Sequence, residues 1–222
     1  MFLTEKIAMK IGKNAKVLLN VDEDNEQIII YGAINLLQII SAILWVIIAG
    51  FLLGVVYEAL IFSITVSVFR KYSGGVHASS PSRCIIIGTV VASAAGIVTN
   101  KILCKLNIAT IISISVAVII LALIIVIKKA PVDSVKKPIT NIEMKKQFKK
   151  KSIITIVIYS AIILVLFMLN QKITEIYYIN AIECISLGIL WQTVTLTKGG
   201  ISLLNKVDFV LTYIIERGEK SN

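Results

Sequence analysis

The chain has 222 residues and a formal net charge of +10, yet only 16% of its residues are charged, 57% are hydrophobic and the mean hydropathy is +0.88. A water-soluble domain of this size is excluded, because it would need more polar surface. The apolar residues also gather in runs too long for buried strands and close to the roughly 20 residues that one membrane-spanning helix requires.

The first 27 residues mix Lys6, Lys10, Lys13 and Lys16 with Asp22, Glu23, Asp24 and Glu26 and lack an apolar signal-peptide region, so segment 1–27 is expected to stay attached and cytoplasmic. Ile7, Ile11, Leu18 and Leu19, with lysines between them, spell an amphipathic helix on the inner leaflet or a simple anchor for the terminus. From Ile28 to Phe69 apolarity is almost unbroken over about twice the length of one span, and Gly50 and Gly54 mark where two helices fold back through a tight turn. Further spans are expected at Pro81–Leu103, Ile108–Ile127, Ile153–Leu169 and Ile176–Leu196. No stretch alternates with period two as a membrane barrel strand must.

These elements predict an all-α fold: a polytopic membrane helix bundle of about six transmembrane helices over 28–196, with cytoplasmic loops at 70–83 and 128–152 and a cytoplasmic tail at 197–222. Of the 23 Lys and Arg residues, all but Lys101, Lys105 and Lys172 then fall on one side, which makes both termini cytoplasmic in a multi-pass cell-membrane protein. A basic excess in such loops ordinarily reflects this bias and attraction to anionic membrane lipids, so no nucleic-acid partner is expected. The nine lysines between Lys128 and Lys151, opposed only by Asp133 and Glu143, also suit an acidic peptide segment held by long-range attraction.

His77, the single histidine, lies in the loop Arg70-Lys71-Tyr72-Ser73-Gly74-Gly75-Val76-His77-Ala78-Ser79-Ser80-Pro81-Ser82-Arg83-Cys84. Gly74 and Gly75 permit positive φ or close backbone approach to a substrate. Ser80-Pro81 reads as a helix N-cap followed by proline at the first helical position, which puts Cys84 in the first turn. A thiol at a helix N-terminus beside a cation such as Arg83 has its nucleophilic thiolate favoured. His77 would be its general base or ion-pair partner, giving a Cys-His dyad for acyl transfer. A structural histidine and an inert buried cysteine remain the alternative. Cys84, Cys104 and Cys184 form an odd set with no paired spacing, so neither a disulfide framework nor a metal or other cofactor is indicated.

At these residues the sequence resembles the accessory gene regulator protein B (AgrB) family, membrane endopeptidases of Gram-positive peptide quorum sensing. Arg70, Gly75, His77-Ala78 and Cys84 carry the resemblance, with Ala130-Pro131, Lys136-Lys137-Pro138-Ile139 and the lysine-rich run as a second block. The resemblance implies a cysteine endopeptidase that cleaves an AgrD-like autoinducing peptide precursor on its carboxyl-terminal side. Cys84 would form an acyl-enzyme thioester, and an internal nucleophile of the peptide would close a thiolactone or lactone ring. It also implies His77 as base and Arg70, Gly74 and Gly75 as supporting positions. Lys128, Lys129, Lys136 and Lys137 would meet the precursor's acidic carboxyl-terminal part.

Glu58 and Glu183 fall inside expected spans, where a carboxyl group usually faces the bundle interior; Glu58 is the better placed to orient His77. Asn35, Gln38, Asn100, Asn180 and Gln192 are expected to bond between helices. Cys104 and Cys184 read as passive thiols. Two other classes fit the same composition: a small peptide transporter or exporter gated by the His77 loop, and a scaffold presenting the basic loop to an acidic partner. Six short spans also leave room for a homodimer.

Overall fold

The computed structural model describes residues 3–20, 22–76, 78–133, 141–173 and 175–220, with residues 3–5 and 215–220 as backbone only. His77, Lys136, Lys137, Pro138 and Ile139 therefore lie outside the described residues. The chain divides into two compact units, Met1–Trp45 and Val46–Asn222. The first holds helix α1 (Leu3–Leu19) and the start of α2 (Glu23–Leu53). Glu23, Asp24 and Glu26 sit in the first turn of α2, where acidic side chains complement the helix dipole, and Asn25 donates its amide to the Asp22 carboxylate at 2.8 Å. Lys16 reaches Glu26 at 2.9 Å and Glu23 at 3.6 Å.

In the second unit, α2 turns into α3 (Val56–Ser73) through Gly54 and Val55, whose amides donate to Phe51 and Gly50 at 3.2 and 2.8 Å. This is the tight turn expected between the first two long apolar runs. There follow α4 (Pro81–Lys101), a 3₁₀ turn (Leu103–Lys105), α5 (Ile108–Lys129), α6 (Ile142–Lys172), α7 (Ile176–Thr195) and α8 (Lys198–Lys220). Among the described residues there is no strand, only an isolated bridge between Gly74 and Val132.

Helix α7 is the axis, packed against α3, α4, α5, α6 and α8. Its Ile182, Ile185 and Ile189 join Phe69, Ile111, Val118, Val126, Ile156 and Ile163 in one buried cluster. Helix α3 buries Glu58, Ala59, Phe62, Thr65, Phe69 and Ser73, a stripe at helical spacing. Polar groups on these inner helices meet across the bundle: Tyr159 donates to the Thr65 carbonyl at 3.1 Å, Ser186 to Ser115 at 2.8 Å and Asn180 to Glu58 at 2.8 Å. By contrast, Asn35 bonds within its own helix, to the Tyr31 carbonyl.

Among the described residues, four helices are long and apolar enough to cross a membrane: α2, α4 with its following turn, α5 and α6; α7 with α8, bent by 89°, makes a fifth if counted as one span. The two remaining expected spans are α3 and α7 themselves. Several of their polar positions, among them Glu58, Thr65, Asn180, Glu183 and Gln192, are sequestered by neighbouring helices rather than offered to lipid. The lipid-type surface lies on the outer helices, where Ile120 and Leu121 of α5 and Val157, Leu164 and Val165 of α6 are exposed.

The structure also revises the basic loop at 128–152. Lys128 and Lys129 close the last turn of α5, and from Ile142 onward the chain is already α6. Asn141 caps that helix, accepting from the amides of Glu143 and Met144 at 2.8 and 3.4 Å, and Lys, Glu, Met and Gln are good helix formers. The eleven residues added ahead of the expected span extend the helix by about 16 Å.

Candidate active site

The sequence 70–84 takes its shape from three directions. Helix α3 ends at Ser73, and Gly74 follows with φ 72° and ψ −151°. A Cβ at Gly74 would run into the Val132 carbonyl, so this backbone needs glycine on grounds of both space and φ. The close approach lets Gly75 donate to the Val132 carbonyl at 3.1 Å and Val132 donate to the Ser73 carbonyl at 3.0 Å. From within the bundle, the Gln192 side-chain amide donates to Ser73 Oγ at 3.0 Å and to the Gly74 carbonyl at 2.8 Å. Gly75 itself lies buried against Thr195 and Gln192.

Helix α4 starts as expected, with Ser80 extended at the N-cap and Pro81 at the first helical position. The Ser80 hydroxyl makes no capping bond, but its carbonyl accepts from the Cys84 amide at 3.0 Å, which places Cys84 at the helix start. Cys84 is half-buried, a free thiol, whereas Cys184 is fully buried near Thr99, and Cys104 donates to the Asn100 carbonyl at 2.8 Å.

The cation beside Cys84 is not the one expected. Arg83 is turned to Asp208 of α8, Nε to Oδ1 at 2.9 Å, because consecutive helical residues do not share a face. Arg70, in the last turn of α3, is the cation that interacts electrostatically with the thiol. Burial of its guanidinium pushes its pKa down, while the charge of Cys84 pulls the other way. Its Nη2 donates to the Val76 carbonyl, and its buried Nε–H has no partner among the described residues. Arg70 thus secures the backbone just before His77.

The lysines gather at the same end of the bundle. Lys71 and Lys151 stand 5.5 and 5.9 Å from the centre of the Tyr72 ring, and Lys145 pairs with Asp133 at 2.9 Å. Lys128 and Lys129 lie on the turn that leads to Val132. Glu58 is not part of this site. It sits in the first turn of α3, about 18 Å along the helix from Arg70, and accepts from Asn180. The residue missing from the sequence reading is Asp208. It is the only acid between Glu183 and Glu216, an isolated carboxylate in a basic and apolar stretch, and that isolation was the available signal.

The described residues thus include a helix-start thiol, a half-buried arginine, a glycine-shaped loop and a lysine-rich helix end. The profile described as Accessory gene regulator B matches residues 4–196. A protein named as AgrB-like from Clostridium perfringens (strain SM101 / Type A) is 34% identical over 207 residues, 93% of this chain and 97% of that protein. A second, from Clostridium perfringens (strain 13 / Type A), is 32% identical over 215 residues, with the same shares. No solved structure matches the chain. The chain therefore belongs to the accessory gene regulator B family, membrane-associated proteins of peptide quorum sensing.

Proposed function

We propose that this protein is a membrane cysteine endopeptidase that cleaves an AgrD-like peptide precursor and conserves the acyl group for cyclisation. The observation that carries the reading is the free, half-buried Cys84 thiol at the start of α4, behind the glycine-shaped loop. The thiolate is the attacking form of such a side chain. Cys84 attacks the scissile carbonyl, and His77 takes the thiol proton and passes it to the leaving amine, so the carboxyl-terminal fragment departs and a thioester remains. An internal thiol or hydroxyl of the peptide then gives its proton to His77 and attacks the thioester, closing the ring; the sulfur of Cys84 leaves and takes that proton back from His77, restoring the free thiol. The Arg70 Nε–H, which has no partner among the described residues, suits the oxyanion that develops in both steps.

A thioester survives long enough to cyclise only where water is restricted, and a half-buried thiol at a helix start offers that. The lysines of α6, with Lys128, Lys129, Lys136 and Lys137, steer the precursor's acidic carboxyl-terminal part to the cytoplasmic face. Such attraction speeds encounter more than it tightens binding.

Precursor cleavage in reconstituted membranes tests the proposal. Cys84→Ala and His77→Ala should each abolish it, with Cys104→Ala and Cys184→Ala active. Cleavage by Cys84→Ala would sink the peptidase reading in favour of transport or scaffolding.

A further inference from the structure

Helix α8 lies beyond residues 4–196, the stretch matched by the family profile, yet it reaches into the candidate site. Two local features set its course. Thr197 Oγ1 accepts from the Gly200 amide at 3.1 Å, and a Cβ at Gly200 would collide with the Val194 carbonyl, so glycine allows the chain to turn tightly where α7 gives way to α8. The two helices meet at 89°.

The turn brings Asp208 against both ends of the segment that precedes Cys84. Its Oδ2 accepts from the Ser79 amide at 3.0 Å and from the Ser79 hydroxyl at 2.5 Å, and its Oδ1 accepts from Arg83 Nε at 2.9 Å. Arg83 Nη2 also donates to Ser79 Oγ, which closes the set. The side chains of Arg83 and Asp208 are each 15% exposed, so the pair is largely withdrawn from solvent. One carboxylate thus holds the end of the loop and the third residue of α4, with only Ser80, Pro81 and Ser82 between them. Cys84 is the next residue along.

We propose that Asp208 is a positioning residue for Cys84: through Ser79 and Arg83, α8 holds the loop and the start of α4 in the register the thiol requires. The inference rests on the reading of Cys84 as nucleophile, and Asp208 itself touches no reacting atom. Charge-assisted bonds to one carboxylate are shorter and stronger than neutral ones and fix direction as well as distance. Asparagine keeps the shape of Asp208 but loses its charge and one of its two acceptors, so Asp208→Asn cannot hold Ser79 and Arg83 together.

The test compares the unmodified protein, Asp208→Asn, Arg83→Asp and the exchanged pair Arg83→Asp with Asp208→Arg, all with Cys104→Ala and Cys184→Ala. Three quantities are read in reconstituted membranes: precursor cleavage, the rate at which a neutral alkylating reagent modifies Cys84, and the unfolding midpoint. Asp208→Asn should lower kcat about tenfold to a hundredfold with KM nearly unchanged, as a misplaced reacting group does. It should also change the Cys84 modification rate, and the exchanged pair should recover part of both losses that Arg83→Asp alone shows. The proposal is overturned if Asp208→Asn leaves kcat and the modification rate unaltered, or if the exchanged pair restores the unfolding midpoint without restoring kcat. The modification rate separates the two readings: it still reports on Asp208 if Cys84→Ala proves active and the peptidase reading falls.

Discussion

The loop that leads into α4 has two supports of opposite character. Gln192 holds its first part, Ser73 and Gly74, from inside the bundle and is fully buried, whereas Asp208 holds its last part, Ser79 and Arg83, from the partly exposed helix α8. The inner support is neutral and sealed from solvent. The outer one is ionic and responsive to solvent. A buried neutral bond matters chiefly through what its loss leaves unsatisfied, while an ion pair near water depends on protonation and salt. The same short segment is therefore fixed permanently at one end and conditionally at the other.

The largest effect should come from Gly74→Ala, which attacks the inner end where the backbone itself is committed. A Cβ there collides with the Val132 carbonyl at a φ of 72°, so a loss of about 3 kcal/mol or more and a collapse of cleavage are expected. The unfolding midpoint in detergent checks it, and a well-folded, active variant would show that the Gly74–Val132 contact is dispensable. Next, Gln192→Leu strips the buried Ser73 hydroxyl and Gly74 carbonyl of a donor and should cost about 1–3 kcal/mol. Because the group is neutral, that loss should not change with salt; a salt-dependent loss would contradict the contrast between the supports.

Acid sharpens the comparison from the other side. Burial would raise the Asp208 carboxyl, but the bonds from Ser79 and the charge of Arg83 outweigh it and hold the carboxyl below the usual carboxylate range. A depressed carboxyl contributes stability that is fully present above the ordinary Asp value of about 3.9 and is lost as pH falls through the lowered folded value. The unmodified protein should therefore lose stability more steeply than Asp208→Asn as pH falls below about 4, and identical acid slopes would rule the outer support out as ionic. The smallest effect is expected at Lys151→Met, which removes one cation from the Tyr72 ring and should cost about 0.5–1 kcal/mol by the same unfolding measurement.

The parts of the site that were legible in the sequence are those written in neighbouring residues. Ser80-Pro81 announced the start of α4 and thereby the place of Cys84, and Gly54 announced the turn between α2 and α3. Local pattern failed where partners are far apart in the chain. Arg83 and Asp208 are separated by 125 positions, and nothing in the periodicity of either segment pairs them, so Arg83 was assigned to its sequence neighbour instead. The tail at 197–222 was expected only as a cytoplasmic end; it is helix α8, whose mixed charged and apolar residues suit a helix with two faces. The same limit explains the basic run, where lysines suggested a loop although an Asn141 cap and good helix formers favour α6.

The bridge between Gly74 and Val132 ties two pieces of chain that sequence order keeps well apart. Val132 stands next to Asp133, the partner of Lys145 on α6, and its carbonyl takes the amide of Gly75. On the proposed reading, an acidic peptide tail that competes with Asp133 for Lys145 would loosen a tether whose other end is the catalytic loop. Arrival of substrate at the lysines would then be transmitted mechanically, along a few atoms of backbone, to the place where the thiol waits.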